Sequence, residues 1–162
     1  MDDTDLDPTT LEPDELAPML RAWAKGLYTT EAAVELLIAH DHWLRRRDFL
    51  GRCTWACTDG WLGGETVPMA GIDWDAVAAA TSLNNTNGLA GSSSEIQVLQ
   101  LAASLAGATL QDSLLGLLSG LDETNTRLAL QAIAHRQGWH EHGITAQITG
   151  RFIPDDGAPV PR

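Results

Sequence analysis

The sequence predicts a mainly α fold, a single-domain helical bundle of about six helices with a short extended C-terminal segment. Three observations predict it. Apolar residues recur at helical spacing in several stretches, hydroxyl or acidic start signals precede them, and glycines follow their ends.

Residues 1–12 carry few apolar side chains and read as a disordered acidic tail. Pro13 and Pro18 each suit a first helical turn, but Pro18 should break a helix begun at Pro13, so the expected helix is 18–25, stopped by Gly26. Thr29-Thr30-Glu31 then starts a helix over 29–44. Its Ala33, Leu36, Leu37, His40, Trp43 and Leu44 share one face, and Arg45-Arg46-Arg47 sits at its C-terminal end. Phe49, Leu50, Cys53, Ala56 and Cys57 continue the spacing and predict a helix over 48–58.

Asp59-Gly60 and Gly63-Gly64 interrupt the pattern, which leaves 61–71 irregular with a short extended piece at Thr66-Val67. Asp73 caps a helix over 74–83, and Asn84 to Gly88 form a loop. Ser92-x-x-Glu95 is a capping box that opens the most apolar helix, placed centrally. A leucine-rich helix over 112–118 and one over 123–137, capped by Asp122 and stopped by Gly138, complete the bundle. Beyond it Ile144, Ala146 and Ile148 alternate with polar residues, as in a strand that needs a partner: Thr66-Val67, or a second chain. Residues 154–162 read as a flexible tail, which leaves 13–153 as the helical domain.

Composition bounds the function. A chain of 162 residues, 44% apolar and 20% charged, can bury one core. No apolar run approaches 18 residues and no secretory signal opens the sequence, so a cytoplasmic location is expected, with no membrane association. Cys53 and Cys57 have poor disulfide spacing and are expected reduced. The net charge is −12, but seven acids precede the first basic residue, Arg21. The remainder holds 15 acids against 10 bases, a net −5. That balance argues against direct nucleic-acid binding, including by a helix centred on Arg45 to Arg47.

The ligand-type residues are His40, His42, Cys53, Cys57, His140 and His142. On one continuous helix His40 and His42 point about 200° apart, so His40 reads as a hydrogen-bonded core histidine and His42 as solvated. Cys53 and Cys57 share an apolar face and read as packing residues. His140 and His142 would share one side of an extended segment, which makes them the candidate metal pair, with capping of the preceding helix as the plainer reading. No G-x-S-x-G, P-loop, G-x-G-x-x-G or H-E-x-x-H occurs.

Two stretches resemble small uncharacterised actinobacterial proteins over residues 28–138. They are Glu31-Ala32-Ala33-Val34-Glu35-Leu36-Leu37-Ile38-Ala39-His40 with Trp43-Leu44, and Leu99-x-Leu101-Ala102-Ala103-Ser104-Leu105-Ala106-Gly107 followed by Gly120-Leu121-Asp122-x-x-Asn125. The resemblance implies helical packing and carries no activity or site residue.

The expected function is therefore non-enzymatic: a protein-protein interaction or regulatory role, with an acidic inhibitor or nucleic-acid mimic as its sharper form. Trp61, Trp139, Ile144 and Ile148 are the interaction candidates, and a homodimer through the C-terminal segment is the self-association to expect. No cofactor is implied. The alternative is a small metal-dependent or hydrolytic enzyme using His140 and His142.

Overall fold

A computed structural model describes residues 5–82 and 85–147. It is mainly helical, but a three-stranded antiparallel sheet replaces part of the expected bundle. The helices are α1 (Pro13–Ala24), α2 (Tyr28–His40), α3 (Arg47–Cys53), α4 (Trp74–Ala80), α5 (Ser93–Leu105), α6 (Leu114–Leu118), α7 (Glu123–Arg136) and α8 (Trp139–His142). The strands are β1 (Asp5–Leu6), β2 (Thr54–Leu62) and β3 (Glu65–Ile72), in the order β1-β2-β3.

The start signals of the later helices are realised atom by atom. Asp73 accepts from the Ala76 N–H at 2.9 Å, Ser92 from Glu95 at 3.3 Å and Asp122 from Asn125 at 2.7 Å. Glu95 closes its capping box by accepting from the Ser92 N–H at 2.7 Å. α2 packs against both α5 and α7, and Val34, Leu36, Leu37, Val98 and Leu99 are buried among them.

Several expectations are corrected. First, Pro18 does not begin a helix but lies inside α1. Glu15 accepts from the Glu12 N–H and starts the helix earlier. Burial of Leu16 and Leu20, each worth about 1.5–3 kcal/mol, then offsets the roughly 3 kcal/mol proline penalty. Second, α2 stops at His40, because Asp41 adopts a left-handed φ of 52° and turns the chain. Trp43 and Leu44 are buried from a following 3-10 turn instead. Third, the helix expected over 48–58 ends at Cys53, and Thr54 begins β2.

Gly63 and Gly64, both at positive φ (61° and 95°), form the two-residue loop that pairs Leu62 with Glu65. The irregular region is thus a hairpin, and Thr66-Val67 pairs with Trp61 and Gly60. An extra β2 residue between Cys57 and Gly60 makes a bulge that inverts the alternation. Fourth, Ile144 to Gln147 form no strand, and Ile148 lies outside the described residues, as does the tail at 154–162. At the other end, Asp5 and Leu6 pair with Cys57 and Ala56, so the acidic N-terminal stretch is partly built into the sheet.

One core joins the two layers. It runs from Leu16, Leu20, Trp43 and Phe49 through Ala56 and Ala70 of the hairpin to Leu99, Leu101 and Ala129 of the helices. Trp43 is wholly buried, and its indole N–H donates to the Glu95 carbonyl at 3.0 Å. Buried Gln100 donates to the Thr81 carbonyl at 3.2 Å and to Asp112 at 2.9 Å, fastening α5 to the segments on either side.

Candidate functional site

Two regions hold side chains that packing alone does not use: a tryptophan-bearing surface and a histidine-lined cleft. The first is made by α1 and the hairpin. Trp55 of β2 lies over Gly71 of β3, where an added Cβ would come within 2.5 Å of the indole. The glycine is therefore needed for the ring to lie flat on the strand. Trp23 of α1 meets Trp55 edge-to-face, with ring centroids 4.9 Å apart, yet the two remain 49% and 38% exposed. Trp61, beyond the bulge, is 71% exposed but stands on the opposite face of the sheet, because it pairs with Thr66 while Trp55 pairs with Gly71, five residues away along β3. From Cys53 to Thr126 the chain contains no Lys or Arg, while Asp59 and Glu65 stand exposed on the hairpin. The Trp23–Trp55 contact is thus an exposed apolar pair with acids on the hairpin side and Lys25, two residues after Trp23, on the α1 side.

The second region is built by the first turn of α2, the last turn of α7, and α8. Gly138 takes a left-handed φ of 76° between α7 and α8 and folds His140 back onto His135. The two imidazoles stack at 3.7 Å with 13° between their planes. Both Nε2 atoms face the same carboxylate oxygen, Glu31 Oε2, His135 at 3.3 Å and His140 at 4.0 Å. The other Glu31 oxygen accepts from the Gly26 N–H at 2.7 Å, which fixes the carboxylate in this pose. Tyr28 donates to Glu141 and sets its ring edge-on to His140, so α8 is held from outside as well. Arg21, Lys25, Val34 and Glu35 join the three in lining an open cleft of about 320 Å³. Arg21 is committed to Glu35 through two bonds, of 2.6 and 2.9 Å.

The remaining ligand-type residues do not assemble. The break at Asp41 brings the His40 and His42 rings to 5.8 Å rather than sending them to opposite sides of a helix. Both are half-buried, His40 Nδ1 and His42 Nε2 lack hydrogen-bond partners among the described residues, and His42 Nδ1 lies 3.5 Å from Glu95. Burial, then the neighbouring His42, pushes the His40 pKa below its ordinary value. Cys53 is buried at the end of α3, with its thiol pushed up to about 11 by burial, while Cys57 lies on β2; both are free. Two of the three adjacent arginines are neutralised, Arg45 by Asp41 at 2.8 Å and Arg46 by Asp48, and Arg46 also stacks on Trp43.

Of the residues singled out in the sequence, His140 lies in the cleft, and Trp61 is exposed on the hairpin but on the face opposite Trp55. His142 is exposed and outside the histidine group, Trp139 is half-buried in α8, and Ile144 follows α8 at 48% exposure. Sequence reasoning missed Glu31 and His135 as cleft residues. The signal for His135 was its place one turn before Gly138, where a positive-φ glycine can fold the next histidine back onto it. Glu31 was read as a helix-start acid, and only the tertiary packing of α2 on α7 reveals the second use. Comparison with family models, with curated proteins and with solved structures finds no match to this chain.

Proposed function

We propose that the protein acts by binding another protein through the Trp23–Trp55 pair, and that the partner sets cationic side chains against the acidic hairpin beside it. One observation carries this reading: two tryptophans packed edge to face stay 49% and 38% exposed where α1 meets a hairpin that holds acids and no bases. A tryptophan buries roughly 150–250 Å² when covered, and aromatic residues concentrate at the centres of interfaces. The acidic hairpin steers a basic partner and repels phosphates, which favours a protein over a nucleic acid. A nucleic-acid-binding protein offers such a basic face, which is the mimic role in its concrete form.

A photo-crosslinking residue at Val67, which the register places on the same sheet face as Trp55, tests the surface in the cell that makes the protein. The expected result is one discrete adduct that a crosslinker at Gln131 on α7 does not give. It should fall at least tenfold when Trp55→Ala and Trp23→Ala are added. The same adduct from both positions, or one indifferent to both alanines, removes the proposal.

A further inference from the structure

We infer that Glu31, His135 and His140 form a binding site for one zinc-like divalent cation. Among the described residues this is a group of ligand-type side chains whose donor atoms all lie within 4.8 Å of one another. Its donors, two imidazole nitrogens and one carboxylate oxygen, match the preference of borderline divalent cations.

The spacing can be compared with what the ion requires. With bonds of about 2.0–2.1 Å, two donors of a tetrahedral zinc site stand roughly 3.3 Å apart. His135 Nε2 and Glu31 Oε2 already stand at 3.3 Å. His140 Nε2, at 4.0 Å, must approach by about 0.7 Å on the same geometry. It must also turn, because the lone pairs of two parallel rings run side by side and do not converge. The means for both is present. His140 sits on the four-residue α8, hinged at Gly138 and Gly143, both at positive φ. The carboxylate is oriented beforehand by the Gly26 N–H, the supporting bond that ligating groups commonly have.

Charge in the cleft is compatible with a cation. Arg21 is neutralised by Glu35, leaving Lys25 as the opposing charge, and the Glu31 carboxylate lies nearer the site. Three protein donors leave one or more coordination positions facing the open cleft, where water or an anionic group can enter. His142 takes no part, so this site shares only His140 with the pair suggested by the sequence.

Zinc sulfate titrated into chelator-treated, desalted protein, followed by calorimetry and native mass spectrometry, tests the site. The expected result is one zinc per chain, a rise in melting temperature with zinc concentration, and at least tenfold weaker binding in His135→Ala and in Glu31→Gln. His140→Asn should weaken binding similarly, and His142→Ala should leave it unchanged. Circular dichroism establishes that each variant is folded. Cobalt(II) gives a second readout, since an intense visible d–d band marks a low-symmetry protein site of four or five donors. Absence of stoichiometric zinc, equal binding by folded His135→Ala, or loss in His142→Ala would each overturn the site.

Discussion

The tryptophan surface and the histidine cleft hold their side chains by different means. On the hairpin, Trp55 rests on the bare backbone of Gly71 and against the edge of Trp23, contacts that leave much of each ring in water. In the cleft, Glu31 is fixed by a backbone N–H, and the two histidines are stacked and share its remaining oxygen. An exposed apolar surface gains free energy when something large covers it. A set of converging polar atoms gains it from one small ligand of the right charge. The two regions therefore suit different ligands, and changes that affect one without the other test that division.

The largest expected effect abolishes both. Leu101 is 5% exposed in the core that the hairpin and the helices share. Leu101→Asp buries an unpaired carboxylate, a loss of several kcal/mol against a total stability of about 5–15 kcal/mol. The variant should lose cooperative melting, zinc binding and the Trp55-dependent crosslink together. A cooperatively melting Leu101→Asp protein would contradict the shared core.

Next in size is Gly71→Ala. The new methyl collides with the Trp55 indole, and overpacking of this kind costs about 1–3 kcal/mol. Tryptophan fluorescence should change as Trp55 leaves Trp23, and partner crosslinking should fall. Zinc affinity should stay within twofold, because the three donors Glu31, His135 and His140 stand on α2, α7 and α8 and not on the hairpin or α1. A parallel loss of zinc affinity would mean that the two regions are coupled.

The same division explains what the sequence made legible. α5 and α7 were readable because their caps are local: Ser92, Glu95, Asp122 and Asn125 lie within three residues of their partners. The hairpin was not, since Phe49, Leu50, Cys53, Ala56 and Cys57 keep helical spacing across a real change from helix to strand. Its one local signal was Gly63-Gly64, a two-residue loop read as a mere break. The break after His40 was equally hidden, because Asp41 is an ordinary surface residue in sequence and a left-handed one only in the fold. In the cleft, His140 was legible as a ligand type. Its partners Glu31 and His135 lie about a hundred residues apart in the chain, and no periodicity connects them.

The smallest effect is a pH dependence that should spare the hairpin. The folded chain holds the His40 pKa below its ordinary 6.5, chiefly through burial. The unfolded chain therefore takes up the proton first as pH falls. His40 costs no stability well above pH 6.5, and its penalty grows as pH drops through 6.5 toward the lowered folded value. Glu95 acts only lower, since its pKa is held below 4.5 by hydrogen bonds from Ser92. Denaturant melts between pH 7.5 and 5.5 should thus show stability declining, with a shallower decline in His40→Gln. Hydrogen exchange should show acid loosening first where α2 ends against α5, because the hairpin from Thr54 to Ile72 contains no histidine. Equal slopes in the wild type and His40→Gln, or loosening that begins in the hairpin, would assign the acid response to other groups.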